Sequence, residues 1–347
     1  MQRQTSRDEA LRIVAIGGGN GLSALLQGLK QIKHCGPDGE VTGQEIDVTA
    51  VVTVADDGGS SGRLRREFGV LPPGDIRNCL VALSEDEALL SRLFQYRFAS
   101  GKGLKGHTLG NLFLTALTDL YDGDFARAVQ HAAEVLASCG RIYPSTSAKV
   151  ALEAELAGGK IVRGESKISR SKARIERVRL CPEAPEPLPE TLHAIETAHV
   201  ITLGPGSLFT SIIPNLLVAG IGEAIARSSA VKVYFVNLMW QPGETSQFTA
   251  ADHVRAINEH AGKPIIDVAV VNTSEIPALL QERYRAQQAL PVEDDLSNST
   301  ALCPSVITGD FAARGDRVRH DQLAIAKLAI QLGTEARKVA TMIAGVA

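Results

Sequence analysis

The 347-residue sequence predicts an α/β, three-layer fold with a mainly parallel sheet, a helical cover and a small β insertion. Three observations carry that prediction. Short β-branched apolar runs recur with helical patterns between them, the signature of parallel strands joined by helical crossovers. Glycine-rich turns follow several of these runs. Two adjacent carboxylates close one run, at the point where a strand buried on both faces first meets polar surroundings.

The first strand spans Arg12 to Ile16. Gly17-Gly18-Gly19-Asn20-Gly21 then turns into a helix through Leu22, Leu25, Leu26 and Leu29. Backbone amides at a helix start favour phosphate, which makes Gly18, Gly19 and Asn20 ligand candidates. The spacing departs from the dinucleotide fingerprint because Leu22 stands in place of its third glycine, so a nicotinamide cofactor is disfavoured. The second strand spans Asp47 to Val54 and runs into Ala55-Asp56-Asp57-Gly58-Gly59-Ser60-Ser61-Gly62-Arg63. Here glycines and serines expose amides as an anion cup beside two carboxylates, selecting Asp56, Asp57, Ser60 and Arg63. Neighbouring side chains on an extended segment point opposite ways, so one carboxylate, Asp57, is the metal candidate, with Mg2+ the hard cation expected.

A mostly helical segment over about 76–140 packs on the sheet, with apolar residues such as Leu80, Leu83, Phe94, Phe113 and Leu117 at helical spacing. Asp75 precedes it where an N-cap is expected and is also a ligand candidate, and Asn78 lies in the first turn beside Arg77, poised for a carboxylate or phosphate. A glycine-rich loop from Ser100 delivers His107 and Asn111 to another helix start. Alternation around Gly158-Gly159 predicts a small β-hairpin insertion over about 150–180. Lys167 to Arg179 is rich in Lys and Arg against the single Glu176. A solvated face is the simpler reading of that run, and an acidic partner the sharper one. Pro182, Pro185, Pro187 and Pro189 form a stiff connector back to the sheet.

A third amide-rich cup, with Gly204, Gly206 and Ser207 as candidates, follows the strand Val200 to Leu203. The uncharged span Val200 to Gly222 is broken by Gly204, Pro205, Gly206 and Pro214, so it reads as strand, loop and helix and not as a membrane crossing. Further strands span Val231 to Asn237 and Ile265 to Val271. A long amphipathic helix, Gln322 to Ile343, covers the sheet or a second copy of the chain in a homo-oligomer.

Composition is that of an ordinary globular protein, 44% hydrophobic and 22% charged, and a net charge of -3 gives no reason to expect nucleic acid or anionic lipid. Five scattered cysteines without C-x-x-C spacing indicate neither a disulfide framework nor a zinc site, and they suit a reducing cytoplasm. The polar residues 1–10 read as a disordered extension with no signal-peptide core, leaving 11–347 as a single domain. P-loop and nucleophile-elbow motifs are absent.

The ordered set GGGNG, TVADDGGSSGRLR, LPPGDIRNCLVAL, GHTLGNL, GPGSLFTSIIPNLLV, NLMWQPGET and VRHD runs from about Leu11 to the final helix. It closely resembles the gluconeogenesis-factor family, bacterial UDP-sugar-binding proteins related to 2-phospho-L-lactate transferase. The resemblance implies a Rossmann-like fold and a cytoplasmic regulatory protein with no membrane insertion and no required cofactor. The implied ligand is UDP-N-acetylglucosamine or UDP-glucose, and the implied role is support of cell shape and wall synthesis through a protein partner.

It also implies that Tyr284 and Arg319 serve the UDP-sugar. A tyrosine ring can stack on uracil and a guanidinium can grip a diphosphate. Stacking needs the ring alone, so phenylalanine is expected to replace Tyr284 at little cost. The transferase relatives use acidic residues at the position of Asp56 and Asp57 around a metal and a phospho-substrate. Gln322 stands where the family carries a threonine associated with phosphorylation, which removes the hydroxyl such control requires. A binder without turnover is therefore the leading expectation, and a Mg2+-dependent transferase of a phospho-group is the alternative.

Overall fold

The computed structural model describes residues 10–35, 45–85, 88–171, 173–296 and 302–344. Among the described residues, seven strands form one sheet in the order β10-β9-β8-β7-β1-β2-β3. They are β1 (Leu11–Gly17), β2 (Ile46–Val52), β3 (Arg141–Pro144), β7 (Val200–Leu203), β8 (Val231–Phe235), β9 (Val268–Asn272) and β10 (Ser305–Gly309). Every neighbouring pair is parallel. Helices cover both faces, so the central strands have no polar face and read as unbroken apolar runs; Val200, Ile201 and Leu203 of β7 are fully buried.

The chain lays β2 and β3 on one side of β1 and then returns to lay β7 to β10 on the other. The strand order therefore reverses between β1 and β7, and the carboxyl ends of those two strands part to leave a crevice. The helix Gly19–Cys35 leaves the end of β1, and the segment Leu208–Leu216, a π-helical turn running into an α-helical one, follows β7. The helix Gln322–Ala344 packs against Gly19–Cys35 and over β1, β7 and β8, so it covers the sheet.

Expected strands and observed ones differ at their ends for local reasons. β2 stops at Val52, although the Thr53 N–H still donates to the Gly17 carbonyl before the chain turns away. β9 starts at Val268 and not at Ile265, because the Asp267 carboxylate turns aside to accept the Lys232 N–H and pair with its ammonium. β3 and β10 were not expected from sequence. Both are short, half-exposed edge strands without an apolar run.

The insertion is larger than a hairpin. β4 (Ala151–Leu156) pairs antiparallel with both β5 (Lys160–Arg163) and β6 (Ile175–Cys181), and the second of these takes up the end of the basic run. The Gly158-Gly159 turn joins β4 to β5 with both residues at positive φ, as the spacing predicted. Leu152, Ala154 and Leu156 point into the main core while Glu153 faces out and pairs with Arg163 and Arg179. Between β5 and β6 the short helix Glu165–Ile168 crosses back toward the sheet. The expected extension over residues 1–10 lies, apart from the buried Ala10, outside the described residues.

Among the described residues no single helix is long and apolar enough to cross a membrane. The bent pair Leu208–Leu216 and Ile221–Arg227 meets that test only jointly, and its apolar side chains are buried in the core.

Candidate functional site

A cavity of about 710 Å³ opens at the crevice between β1 and β7. Gly18, Gly19 and Asn20 form one wall, Gly206 and Ser207 the facing one, and Tyr284 and Arg319 close the outer side. Seven of the sixteen expected ligand residues thus meet in one space. Gly204 lies behind the wall, its N–H donating to the Ile16 carbonyl in continuation of the sheet.

Tyr284, near the end of the helix Ala278–Arg285, packs in a small apolar cluster with Leu238, Met239, Ile276 and Leu280. Its hydroxyl also accepts the Val318 N–H at 3.2 Å, next to Arg319 in the chain. The expectation that only the ring matters is therefore incomplete, because the hydroxyl helps hold the segment that presents the guanidinium. His320 of the same segment donates Nε2–H to the Val236 carbonyl past the end of β8, and burial lowers its pKa to about 4. That histidine is a neutral strut.

The other candidates gather in a second group beyond the ends of β1 and β2. Asp75 does not cap its own helix, Gly74–Leu83, whose N-cap is Pro73; it lies inside the first turn and accepts the N–H of Gly19 instead. The reason is geometric: that turn faces the glycine loop of β1, where an amide lacks an intrahelical partner. Asp75 thereby joins the second group to the cavity wall. Asp56 accepts the Gly58 N–H at 2.7 Å and a bond from the Ser61 hydroxyl. Asp57 faces the opposite way, toward the insertion, and its Oδ1 accepts the Ser166 N–H at 2.8 Å.

Glu165, carried in by the insertion, completes the acidic side. Burial, then the charges of Asp56, Glu244, Asp57 and Asp75, push its pKa up to about 7. Burial and then Asp56 push Asp75 up to about 7 as well, against the lowering effect of the Gly19 amide. Burial also raises Asp56, ahead of its hydrogen bonds. Such mutual repulsion would be relieved by a cation or by protons. Among the described residues, however, no three His, Cys, Asp or Glu side chains are grouped closely enough to hold a metal ion by themselves.

Around this acidic core lie polar and basic groups. His107 Nδ1 and the Ser60 hydroxyl are 2.9 Å apart, both residues buried. Burial and then Arg63 lower the His107 pKa, so it is neutral. Arg63 donates to the Lys105 carbonyl, Arg77 donates to Asn78 Oδ1, and buried Asn111 leaves its Oδ1 without a partner. Ser60, Arg63, Asn78, His107 and Asn111 do not line the crevice cavity.

The family model for 2-phospho-L-lactate transferase CofD matches residues 13–312. The chain belongs to the CofD family. It is 47% identical over 322 residues to the gluconeogenesis factor of Bacillus subtilis, covering 92% of this chain and 98% of that protein. It is likewise 47% identical over 310 residues to the gluconeogenesis factor of Halalkalibacterium halodurans, covering 89% and 92% of the two chains. The crystal structure of protein BH3568 from Bacillus halodurans superposes with a TM-score of 0.87 at 45% identity, over 92% of this chain and 99% of that one.

In this CofD family member, sequence reasoning missed several lining and supporting residues. Asn237, Trp240 and Gln241 line the cavity from the loop after β8, where polar residues at a strand end were the available signal. Glu244 lies in that same loop, whereas Glu165 had no such signal. Glu244 is 6% exposed and accepts from the Thr210 and Ser169 hydroxyls and the Phe209 and Thr210 amides. The helix-start amides expected to be open to phosphate at the third cup are therefore already occupied by an internal carboxylate. Gly206 and Ser207 remain.

Proposed function

We propose that this chain is a UDP-sugar-binding regulatory protein, a gluconeogenesis factor, acting in the cytoplasm on cell shape and wall synthesis during gluconeogenic growth. One observation carries the reading. The cavity joins two amide-bearing glycine walls, suited to a diphosphate, to an aromatic ring and a guanidinium on its outer rim. A base stacked near Tyr284 and phosphates between the walls would direct the sugar inward, toward Asp75 and the acidic group. Carboxylates that accept hydroxyl hydrogens suit a sugar there. The gluconeogenesis-factor names of the relatives support the physiological part. A protein partner, as yet without a chemical identity, would read ligand occupancy.

A transferase of phosphorus-containing groups is the second reading, favoured by the acidic group and the CofD match. Oxygen donors fit Mg2+, which binds through one or two carboxylates together with ligand phosphates and water. Asp57 would supply the carboxylate, and the ion would neutralise phosphate charge. Isothermal titration with UDP-N-acetylglucosamine, UDP-glucose, GDP and NAD, each with and without Mg2+, tests the first reading; failure of both UDP-sugars to bind would refute it. Incubation with UDP-N-acetylglucosamine, Mg2+ and phospho-acceptors tests the second. Released UMP, the leaving group when the sugar 1-phosphate is transferred, that disappears in Asp57→Asn would establish turnover and displace the regulatory reading.

A further inference from the structure

The loop after β8 touches both the cavity and the insertion. At its start, Asn237 Nδ2 donates to Gln241 Oε1 at 3.1 Å, and Gln241 Nε2 donates to the Ser207 hydroxyl at 2.8 Å on the cavity wall. Three residues on, the chain is held in a tight turn: the N–H groups of Glu244 and Thr245 both donate to the Gln241 carbonyl, and the Gln241 N–H donates back to the Thr245 hydroxyl.

Its far end is clamped. Gly243 has φ of 87°, and a Cβ there would stand 2.4 Å from the Ser169 carbonyl oxygen and 2.6 Å from that of Ser171. Glu244 reaches in two directions from this point. Its Oε1 accepts the Ser169 hydroxyl of the insertion at 3.1 Å and the Thr210 hydroxyl at 3.0 Å. It also takes the amides of Phe209 and Thr210, which lie in the chain between the cavity-lining residues Ser207 and Ser211. Its Oε2 is buried as well. The Ser169 hydroxyl in turn lies 3.4 Å from Glu165 Oε1. A continuous polar chain therefore runs from the cavity wall through Glu244 and Ser169 to the insertion and its carboxylate.

We propose that Glu244 and Ser169 form a joint that transmits occupancy of the cavity to the β4–β6 insertion, so that ligand bound at Ser207 and Gln241 changes how firmly the insertion is held. Glu244 is thus a positioning residue and not a ligand contact. The inference rests on the UDP-sugar reading of the cavity and supplies its regulatory output: the surface that alters on binding is the outer face of the insertion, with its Arg163–Glu153–Arg179 ion-pair row. A second tether, the Ser166 amide on Asp57, holds the same short helix by a different bond and must be distinguished from this joint.

Hydrogen–deuterium exchange of the full chain, with and without saturating UDP-N-acetylglucosamine, reads the insertion directly, while calorimetry on the same samples reads binding. In the wild type, amides of residues 152–156 and 176–180 are expected to change exchange rate by about fivefold or more, the lower end of ordinary site-to-site coupling. Ser169→Ala removes one hydroxyl from a half-exposed position; it is expected to bind within about fivefold of wild type and to lose the exchange response. Ser169→Thr keeps a hydroxyl and is expected to restore it. Binding without any exchange response in the wild type overturns the proposal. So does a response that survives in Ser169→Ala, which would assign the coupling to Asp57. Absence of calorimetric binding by the wild type overturns the ligand reading itself, and this inference with it.

Discussion

The two glycine walls approach each other closely, and Gly21→Ala tests whether that approach builds the cavity. A Cβ at Gly21 would lie 2.3 Å from the Pro205 carbonyl oxygen, 2.6 Å from its carbon and 2.9 Å from the Gly206 nitrogen. All three are backbone atoms, so no side chain can swing aside. Relief requires the helix Gly19–Cys35 and the loop after β7 to part by about 1 Å, given ordinary contact distances of about 3.5 Å. Overpacking of this kind costs about 1–3 kcal/mol, and the better helix propensity of alanine offsets about 1 kcal/mol of that. A melting temperature lower by a few degrees is expected. Binding should suffer more than stability. On the proposed UDP-sugar reading, amides on both walls reach one diphosphate, and a 1 Å separation stretches two hydrogen bonds of about 1 kcal/mol each out of range, or about thirtyfold in Kd for UDP-N-acetylglucosamine. Gly222→Ala is the control, since its nearest neighbour would be 3.6 Å away and it should leave Kd unchanged. Calorimetry and thermal melts read both numbers. A Gly21→Ala protein with wild-type Tm and Kd would refute the argument that apposed backbones define the cavity.

Three further outcomes are expected. Arg319→Ala should keep the fold, because the side chain is exposed, and lose more than tenfold in UDP-sugar affinity by calorimetry, a charge-assisted bidentate contact being worth about 2 kcal/mol; unchanged affinity contradicts its role. Tyr284→Phe should weaken binding about fivefold through loss of the hydroxyl that accepts the Val318 N–H, with Tyr284→Ala weaker still, and a Phe variant equal to wild type would return the residue to stacking alone. Asp75, with a folded pKa of about 7 against 3.8, favours folding below pH 3.8, and that contribution is lost as pH rises through about 7. Asp75→Asn should therefore gain stability relative to wild type between about pH 5 and pH 8, on the order of 2 kcal/mol after allowing for partial solvent contact, as read by denaturant melts; a difference independent of pH would contradict the shift.

Much of this was legible in the chain itself. A buried parallel strand must be apolar along its whole length, so β1, β7 and β8 announce themselves as β-branched runs, and the glycine turns that follow mark the sheet edge where ligands collect. The Gly158-Gly159 turn fixed the place of the insertion for the same local reason. Local pattern could not supply partners. Asp75 was expected as an N-cap or a ligand contact, yet its carboxylate lies against the Gly19 amide, far away in sequence. Glu244 occupies the helix-start amides that pattern alone left open for phosphate, and Glu165 enters the acidic group on an insertion whose docking no periodicity describes. Edge strands β3 and β10 were invisible because a half-exposed strand needs no apolar run. The sequence by itself determined the strands, the turns and the kinds of group available to the site. Only the tertiary structure decided which amides and carboxylates face each other, because that depends on long-range packing of elements whose local patterns are silent about their neighbours.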